Sequence, residues 1–98
     1  MDIGDILYAE ALKNYVRIAT KQKTHLVLLK LSQLDQMLPK DLFCQIHRSY
    51  IISIAELTSF DRKAVFLGKH EIPIGNTYRD VFFQRIKKLI NHDNGNSL

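Results

Sequence analysis

Phe43-Cys44-Gln45-Ile46-His47-Arg48-Ser49-Tyr50-Ile51-Ile52-Ser53-Ile54, near the middle of a chain of 98 residues, is the stretch from which the rest hangs. It opens with strand alternation, Phe43 to one face and Cys44 to the other. It closes in an apolar run rich in β-branched residues, far too short to cross a bilayer. Between the halves, His47, Arg48 and Ser49 interrupt the core-forming residues. The segment is therefore expected to be buried at both ends and to offer hydrogen-bonding groups in between. Arg48, a planar cation with five donors anchored on both sides by core, suits a phosphate or a base edge.

Upstream, Gly4-Asp5 is a turn signal leading into an apolar run at 6–9, read as a buried strand. Glu10 to Asn14 breaks it, and residues 15–20 resume with alternation, Val16 and Ile18 against Tyr15, Arg17 and Ala19. The polar Thr20-Lys21-Gln22-Lys23-Thr24 precedes a second run at 25–29, which predicts a hairpin with a basic tip. Ser32 followed by Asp35 resembles a capping box with a shorter acid. Leu31, Leu34, Met37 and Leu38 share one helical face and Pro39 marks the stop, so a short amphipathic helix is expected at 31–38.

Downstream, residues 55–60 and 64–67 flank Asp61-Arg62-Lys63, and Gly68-Lys69 precedes residues 70–74. These predict two tight hairpins, with Gly68 supplying a positive φ. A final helix is expected with Asn76 or Thr77 as N-cap and Asp80 in its first turn. Its apolar stripe would be Phe82, Ile86, Leu89 and Ile90, with Arg85, Lys87 and Lys88 on or beside the polar side. The predicted architecture is mainly β, a meander of short strands with one short helix and a C-terminal helix. The expected domain covers 1–91, followed by a flexible polar tail at 92–98. A helix-turn-helix is excluded, because the two helices are far apart in sequence and no three-helix pattern surrounds either.

The size fits one domain with a core of its own. Hydrophobic content of 46% and charged content of 24% are ordinary globular values. A single cysteine, Cys44, cannot form an internal disulfide, which fits a reducing, cytoplasmic location. The net charge of +4 is uneven: residues 1–12 hold three acids and no base, residues 13–48 seven bases and two acids, and residues 49–98 seven bases and five acids. The acidic start is the wrong composition for a signal or transit peptide. The basic remainder points to an anionic partner.

Catalytic and metal chemistry find little support. Cys44 and His47 are three apart, but no second cysteine exists and His25, His70 and His92 are scattered, so neither a metal nor a cofactor is expected. Ser49 lies close to His47 without a Gly-x-Ser-x-Gly elbow, and both glycine-rich nucleotide fingerprints are absent, so the chain is not read as an enzyme. His47 is read as structural, its ring nitrogens satisfied by backbone. Tyr8 and Tyr50 read as core residues with a polar tip, whereas Tyr15 and Tyr78 stand beside polar loops and could stack on bases. Lys13 and Asn14 precede one strand, Lys21 and Lys23 sit on a hairpin, Arg48 lies in the central break, and Asn76, Thr77 and Arg79 open the last helix. Lysine and arginine neutralise phosphates, asparagine pairs bidentately with adenine and arginine with guanine.

Asp5-Ile6-Leu7-Tyr8-Ala9-Glu10-Ala11, Asn14-Tyr15-Val16, Phe43-x-x-Ile46-His47-Arg48-Ser49-Tyr50-Ile51-Ile52 and Ile72-Pro73-Ile74-Gly75 with Tyr78 together resemble the LytTR DNA-binding domain. The resemblance covers the chain to about residue 90, and its His-Arg-Ser-Tyr block is the specific part. It implies a β-rich output domain of a bacterial two-component response regulator of the LytR/AlgR type. Such a domain regulates transcription by binding promoter DNA, often at direct repeats, downstream of an N-terminal receiver domain. Carried over by position, the base-contact candidates are Asn14, Tyr15, Arg48, Asn76 and Thr77, and the phosphate candidates Lys13, Arg17, Lys21, Lys23 and Arg79.

Three departures accompany the resemblance. The family normally has an additional strand and turn before the Asp5-Ile6 block, where only residues 1–4 stand here, so the expectation is either a shortened piece of the domain or a sheet edge completed by another molecule, including a second copy. Ser53 stands where the family commonly has Asn, and Gly75 where it often has Ser. The competing expectations are a non-catalytic protein-interaction module on the same scaffold, or an RNA or single-strand binder using Tyr15 and Tyr78.

Overall fold

The computed structural model describes residues 1–95. Its first sheet contains β1 (Ile6–Ala11), β2 (Val16–Thr20), β3 (Thr24–Val27), β4 (Phe43–His47) and β5 (Tyr50–Ser53), in the order β3-β2-β1-β5-β4. The second contains β6 (Ser59–Phe60), β7 (Ala64–Leu67) and β8 (His70–Pro73) in sequence order. All neighbours are antiparallel. Helix α1 (Leu31–Met37) covers one face of the larger sheet, and α2 (Arg79–Gly95) packs on the far side of β4.

The central stretch serves two cores because its side chains alternate. Phe43 and Ile51 point into a core shared with Ile6, Val16, Ile18 and the α1 residues Leu31 and Leu34. Cys44, Ile46 and Ile52 point the other way, onto Val65 and Ile72 of the second sheet and Phe82 and Ile86 of α2. Ile46, Ile52 and Phe82 are fully buried, each contributing about 1.5–3 kcal/mol. A one-residue slip in β4 or β5 would exchange the two sets, so two-sided burial fixes the register.

The mainly-β architecture follows the sequence expectation, with local corrections. The first strand does not stop at Glu10: β1 runs to Ala11, because Glu10 pairs across the ladder with Arg17 on one side and Tyr50 on the other. In α1, the Ser32–Asp35 box is not formed. Instead Gln33 Oε1 accepts from the Lys30 backbone N–H at 2.8 Å, while Asp35 pairs with Lys40 at 2.7 Å. Met37 is exposed rather than part of the apolar face. Residues Ile54–Glu56 form a 3-10 turn, which shortens β6 to Ser59–Phe60.

Gly68 takes φ +62° in the β7–β8 turn, the left-handed value expected there. Helix α2 begins at Arg79, so Asn76 and Thr77 lie in the preceding turn and neither caps it. Its buried stripe is Phe82 and Ile86; Leu89 and Ile90 are exposed. Arg85 also faces inward, donating to the carbonyls of Phe43, at 2.8 Å, and Lys40. The helix continues through the first half of the segment expected as a tail, and residues 96–98 lie outside the described residues.

Candidate nucleic-acid interface

The polar break in the central stretch is a two-residue turn, Arg48-Ser49, between β4 and β5. Among the described residues none other than glycine has positive φ, so the turn is not one of the mirror types whose twist matches a hairpin. An extra residue in β4 between Gln45 and His47 takes up the difference as a bulge. The turn's backbone is then fixed from three sides. His47 Nδ1 accepts from the Ser49 N–H at 3.0 Å, Gln45 Nε2 donates to the His47 carbonyl at 3.1 Å, and the Ser49 carbonyl accepts from the Ala11 N–H at 2.8 Å. Arg48 is exposed and its guanidinium makes no hydrogen bond or ion pair among the described residues. A rigid backbone thus carries a free cation.

Two further loops are tied to this turn. The Ala11 bond anchors the loop at 12–15, in which Lys13, Asn14 and Tyr15 are exposed. On the other side, the Gly75 N–H donates to the carbonyl of the bulged Ile46 at 2.7 Å. The approach is close: a side chain at Gly75 would meet the Tyr78 ring at 3.1 Å and His47 Cα at 3.4 Å. Glycine therefore lets the segment carrying Asn76 and Thr77 lie against His47. Arg79 braces that segment, its Nε donating to the Arg62 carbonyl at 2.6 Å and its Nη1 to Asn76 Oδ1 at 3.1 Å. With its donors so used, Arg79 acts as a strut, and Asn76 keeps only its amide N–H groups for a ligand.

Beneath the turn lies a polar network on the face of the larger sheet away from α1. Glu10 accepts from Arg17 Nη2 and, at 2.9 Å, from the Tyr50 hydroxyl. Burial, then the bond to Glu10, pushes the Tyr50 phenol above its ordinary value. The hydrogen bond and charge of Glu10 raise Arg17 further, so this cation is already neutralised within the protein. Tyr8 and Tyr50 are half-buried against the second core and Tyr78 packs over Gly75, leaving Tyr15 as the tyrosine most open to solvent at 46%.

Lys21 and Lys23 are not brought to this end. In the β1–β2 ladder Ala11 opposes Val16 and Ile6 opposes Thr20, so the β2–β3 turn lies at the far end of β2, about 16 Å away by strand rise. Lys21 pairs there with Glu56 at 3.2 Å and donates its backbone N–H to the Asp5 carbonyl. Lys21 and Lys23, expected with Lys13 as phosphate contacts, thus stand apart from Lys13 and Arg48: charges close in sequence are separated by the length of a strand.

Three cations not singled out from the sequence do reach the Arg48 end. Lys30 follows β3 and lines, with Lys13, Asn14 and Tyr15, a cleft of about 400 Å³. Arg62 and Lys63 form the β6–β7 turn, held to the Gly75 segment by the Arg79–Arg62 bond and by the Ile74 N–H donating to the Lys63 carbonyl at 2.8 Å. Asp61 shapes that turn, accepting from the N–H groups of Lys63 and Ala64, and these bonds hold its carboxyl below the usual range. Lys13, Lys30, Arg48, Arg62 and Lys63 have no carboxylate partner among the described residues.

A family model described as the LytTr DNA-binding domain matches residues 1–87. The chain belongs to the LytTr DNA-binding domain family. Among curated proteins, the CO-responsive transcriptional regulator RcoM of Rhodospirillum rubrum is 32% identical over 63 residues, which are 64% of this chain and 27% of that protein. The chain thus spans about a quarter of that relative's length. Among solved structures, the LytTr domain of a Bacillus cereus protein described as a methyl-accepting/DNA response regulator superposes with a TM-score of 0.80 at 18% identity, covering 88% of this chain and 84% of that one. This likeness bears out the LytTr fold. LytTr domains bind DNA and are not a catalytic family, and among the described residues no helix is long and apolar enough to cross a membrane.

Proposed function

We propose that this LytTr domain binds double-stranded promoter DNA sequence-specifically, as the cytoplasmic output domain of a bacterial two-component transcriptional regulator. One observation carries the proposal: three loops from different parts of the chain meet around Arg48 through the Ala11–Ser49 and Gly75–Ile46 backbone bonds. In this reading Arg48 contacts a base edge in the major groove, flanked by Asn14 and Tyr15 on one side and Asn76 and Thr77 on the other. Lys13 contacts phosphate, and Arg79 positions Asn76. No cofactor takes part and the domain is not an enzyme.

The fixed backbone under Arg48 favours this reading over a protein-interaction module, because it sets where the guanidinium can reach a base edge. A single-strand binder would need several stacking platforms, and Tyr78 is covered. The input partner in this reading is an N-terminal receiver domain, the arrangement that the resemblance to response-regulator output domains implies. Binding at direct repeats is the arrangement expected of such an output domain. Self-association, if it accompanies DNA binding, uses β3: the other edge, β4, is capped by Gly75 and Arg85.

Selection from a pool of random duplexes at near-physiological salt, followed by sequencing of the bound fraction, tests the proposal. The expected result is a recovered motif that is lost with Arg48→Ala. Salt-sensitive binding with no motif would overturn sequence specificity, and no binding would favour the interaction module.

A further inference from the structure

The loops at the Arg48 end follow one another in a line. Across the larger sheet the order β3-β2-β1-β5-β4 sets Lys30, which follows β3, at one extreme and the β4–β5 turn toward the other. Four interstrand steps make this span about 19 Å. Beyond β4 the Gly75 segment leans on Ile46, and beyond that the β6–β7 turn is bonded to Arg79 and Ile74.

Each end of the row carries cations with no ion-pair partner among the described residues. Lys30 stands with Lys13 on the 400 Å³ cleft between the 12–15 loop and the β3–α1 connection, whose lining also includes Leu12 and Leu28. At the opposite end Lys63 is exposed, while Arg62 lies 5.8 Å over the Phe83 ring and lines a groove with Asp80 and Lys87. Asp61, the nearest carboxylate in sequence, is already engaged by the turn's own N–H groups.

We infer that Lys30 and the Arg62-Lys63 turn are the outer phosphate contacts of a DNA-binding row whose middle is Arg48. The inference rests on the DNA-binding reading above and adds residues to it. The cleft beside Lys30 takes one strand's sugar-phosphate backbone, with Lys13 and Lys30 as its cations. Lys63 meets a phosphate on the other flank. Arg62 contributes less, because Asp80 shares its groove and the Phe83 ring holds its guanidinium.

The test is the salt dependence of affinity for a random-sequence duplex, read by fluorescence anisotropy for the whole chain. Lys30→Gln and Lys63→Gln remove a charge and keep the aliphatic stem, and Lys69→Gln, on the β7–β8 turn at the other end of the second sheet, is the control. Each of the first two is expected to lower the slope of log K against log salt by about 0.9, the value of one phosphate contact; Lys69→Gln is expected to leave it unchanged. Wild-type slopes in both Lys30→Gln and Lys63→Gln, with Arg48→Ala still weakening binding, would overturn the inference and leave the DNA-binding reading standing. An equal fall in Lys69→Gln would also overturn it, since the effect would then be one of net charge. Wild-type protein with no affinity for duplex would overturn the reading itself.

Discussion

The larger sheet has a basic hairpin turn at each end, and the two are built in opposite ways. At the β2–β3 turn Thr20 Oγ1 closes the backbone, donating to the Lys23 carbonyl at 2.7 Å and accepting from the Lys23 N–H at 3.1 Å, and Lys21 pairs with Glu56 of the turn after β5, while Lys23 has no ion-pair partner among the described residues. At the β4–β5 turn only the backbone is tied, to His47 and Ala11, and Arg48 is left unpaired. The first turn is closed by its own side chains; the second is held by its neighbours and presents a side chain outward. Positive charge by itself therefore does not identify a binding surface. What sets the Arg48 turn apart is that two further loops are bonded to it, so that its cation stands among other exposed polar side chains.

The largest expected effect falls on the open turn. Arg48→Ala should cost about 1–3 kcal/mol in specific affinity and relax preference at one base pair, with thermal stability unchanged. Equal losses on selected and random duplexes, measured by anisotropy, would remove its base-reading role. A smaller effect is expected one layer beneath. Tyr50→Phe removes the hydroxyl bonded to Glu10, which should lower stability by about 1 kcal/mol in urea unfolding. The same half-buried hydroxyl gives a pH signature. Because the folded-state phenol is raised above its ordinary value, its contribution is fully present below a pH of about 10 and is lost as pH climbs through the raised value. The alkaline fall in melting temperature should therefore be shallower in Tyr50→Phe than in wild type.

The fold was legible in the sequence wherever burial alternates in a simple way. The two-faced stretch from Phe43 to Ser53, the Gly68 turn and the Phe82–Ile86 stripe all stand where periodicity placed them, because each is dictated by which side chains leave water. Other features depend on partners that a one-dimensional reading does not see. Glu10 looks like a strand breaker, yet it sits in a ladder because Arg17 and Tyr50 meet its carboxylate. Leu89 looks like core by spacing, yet it is exposed beside the charged Asp41, Arg85 and Lys88.

The candidate interface was legible in part for the same reason. Asn14, Arg48 and Asn76 are recognisable as polar residues where strands or helices end, and such positions converge when the strands do. Lys30 and Lys63 gave no local signal; their place follows from strand order. Lys21 and Lys23 gave a strong signal, and the ladder register carries them to the wrong end.

The smallest expected effects belong to the closed turn and sharpen the contrast. Lys21→Ala should cost no more than about 1 kcal/mol of stability, as an exposed ion pair does. Lys13→Ala should lower the salt slope by about 0.9, whereas Lys23→Ala should leave it within error of wild type. A slope change of equal size in the two would erase the distinction between the ends.

The central claim is that DNA is met by the Arg48 end of the sheet and not by the Lys21 end. Titrating isotopically labelled protein with duplex and following the backbone amide resonances tests it directly. The account predicts shifts concentrated at 12–15, 30, 48–49, 62–63 and 75–79, with residues 21–23 and 68–70 unmoved. Shifts centred on 21–23, with Arg48 and its neighbours unaffected, would contradict it.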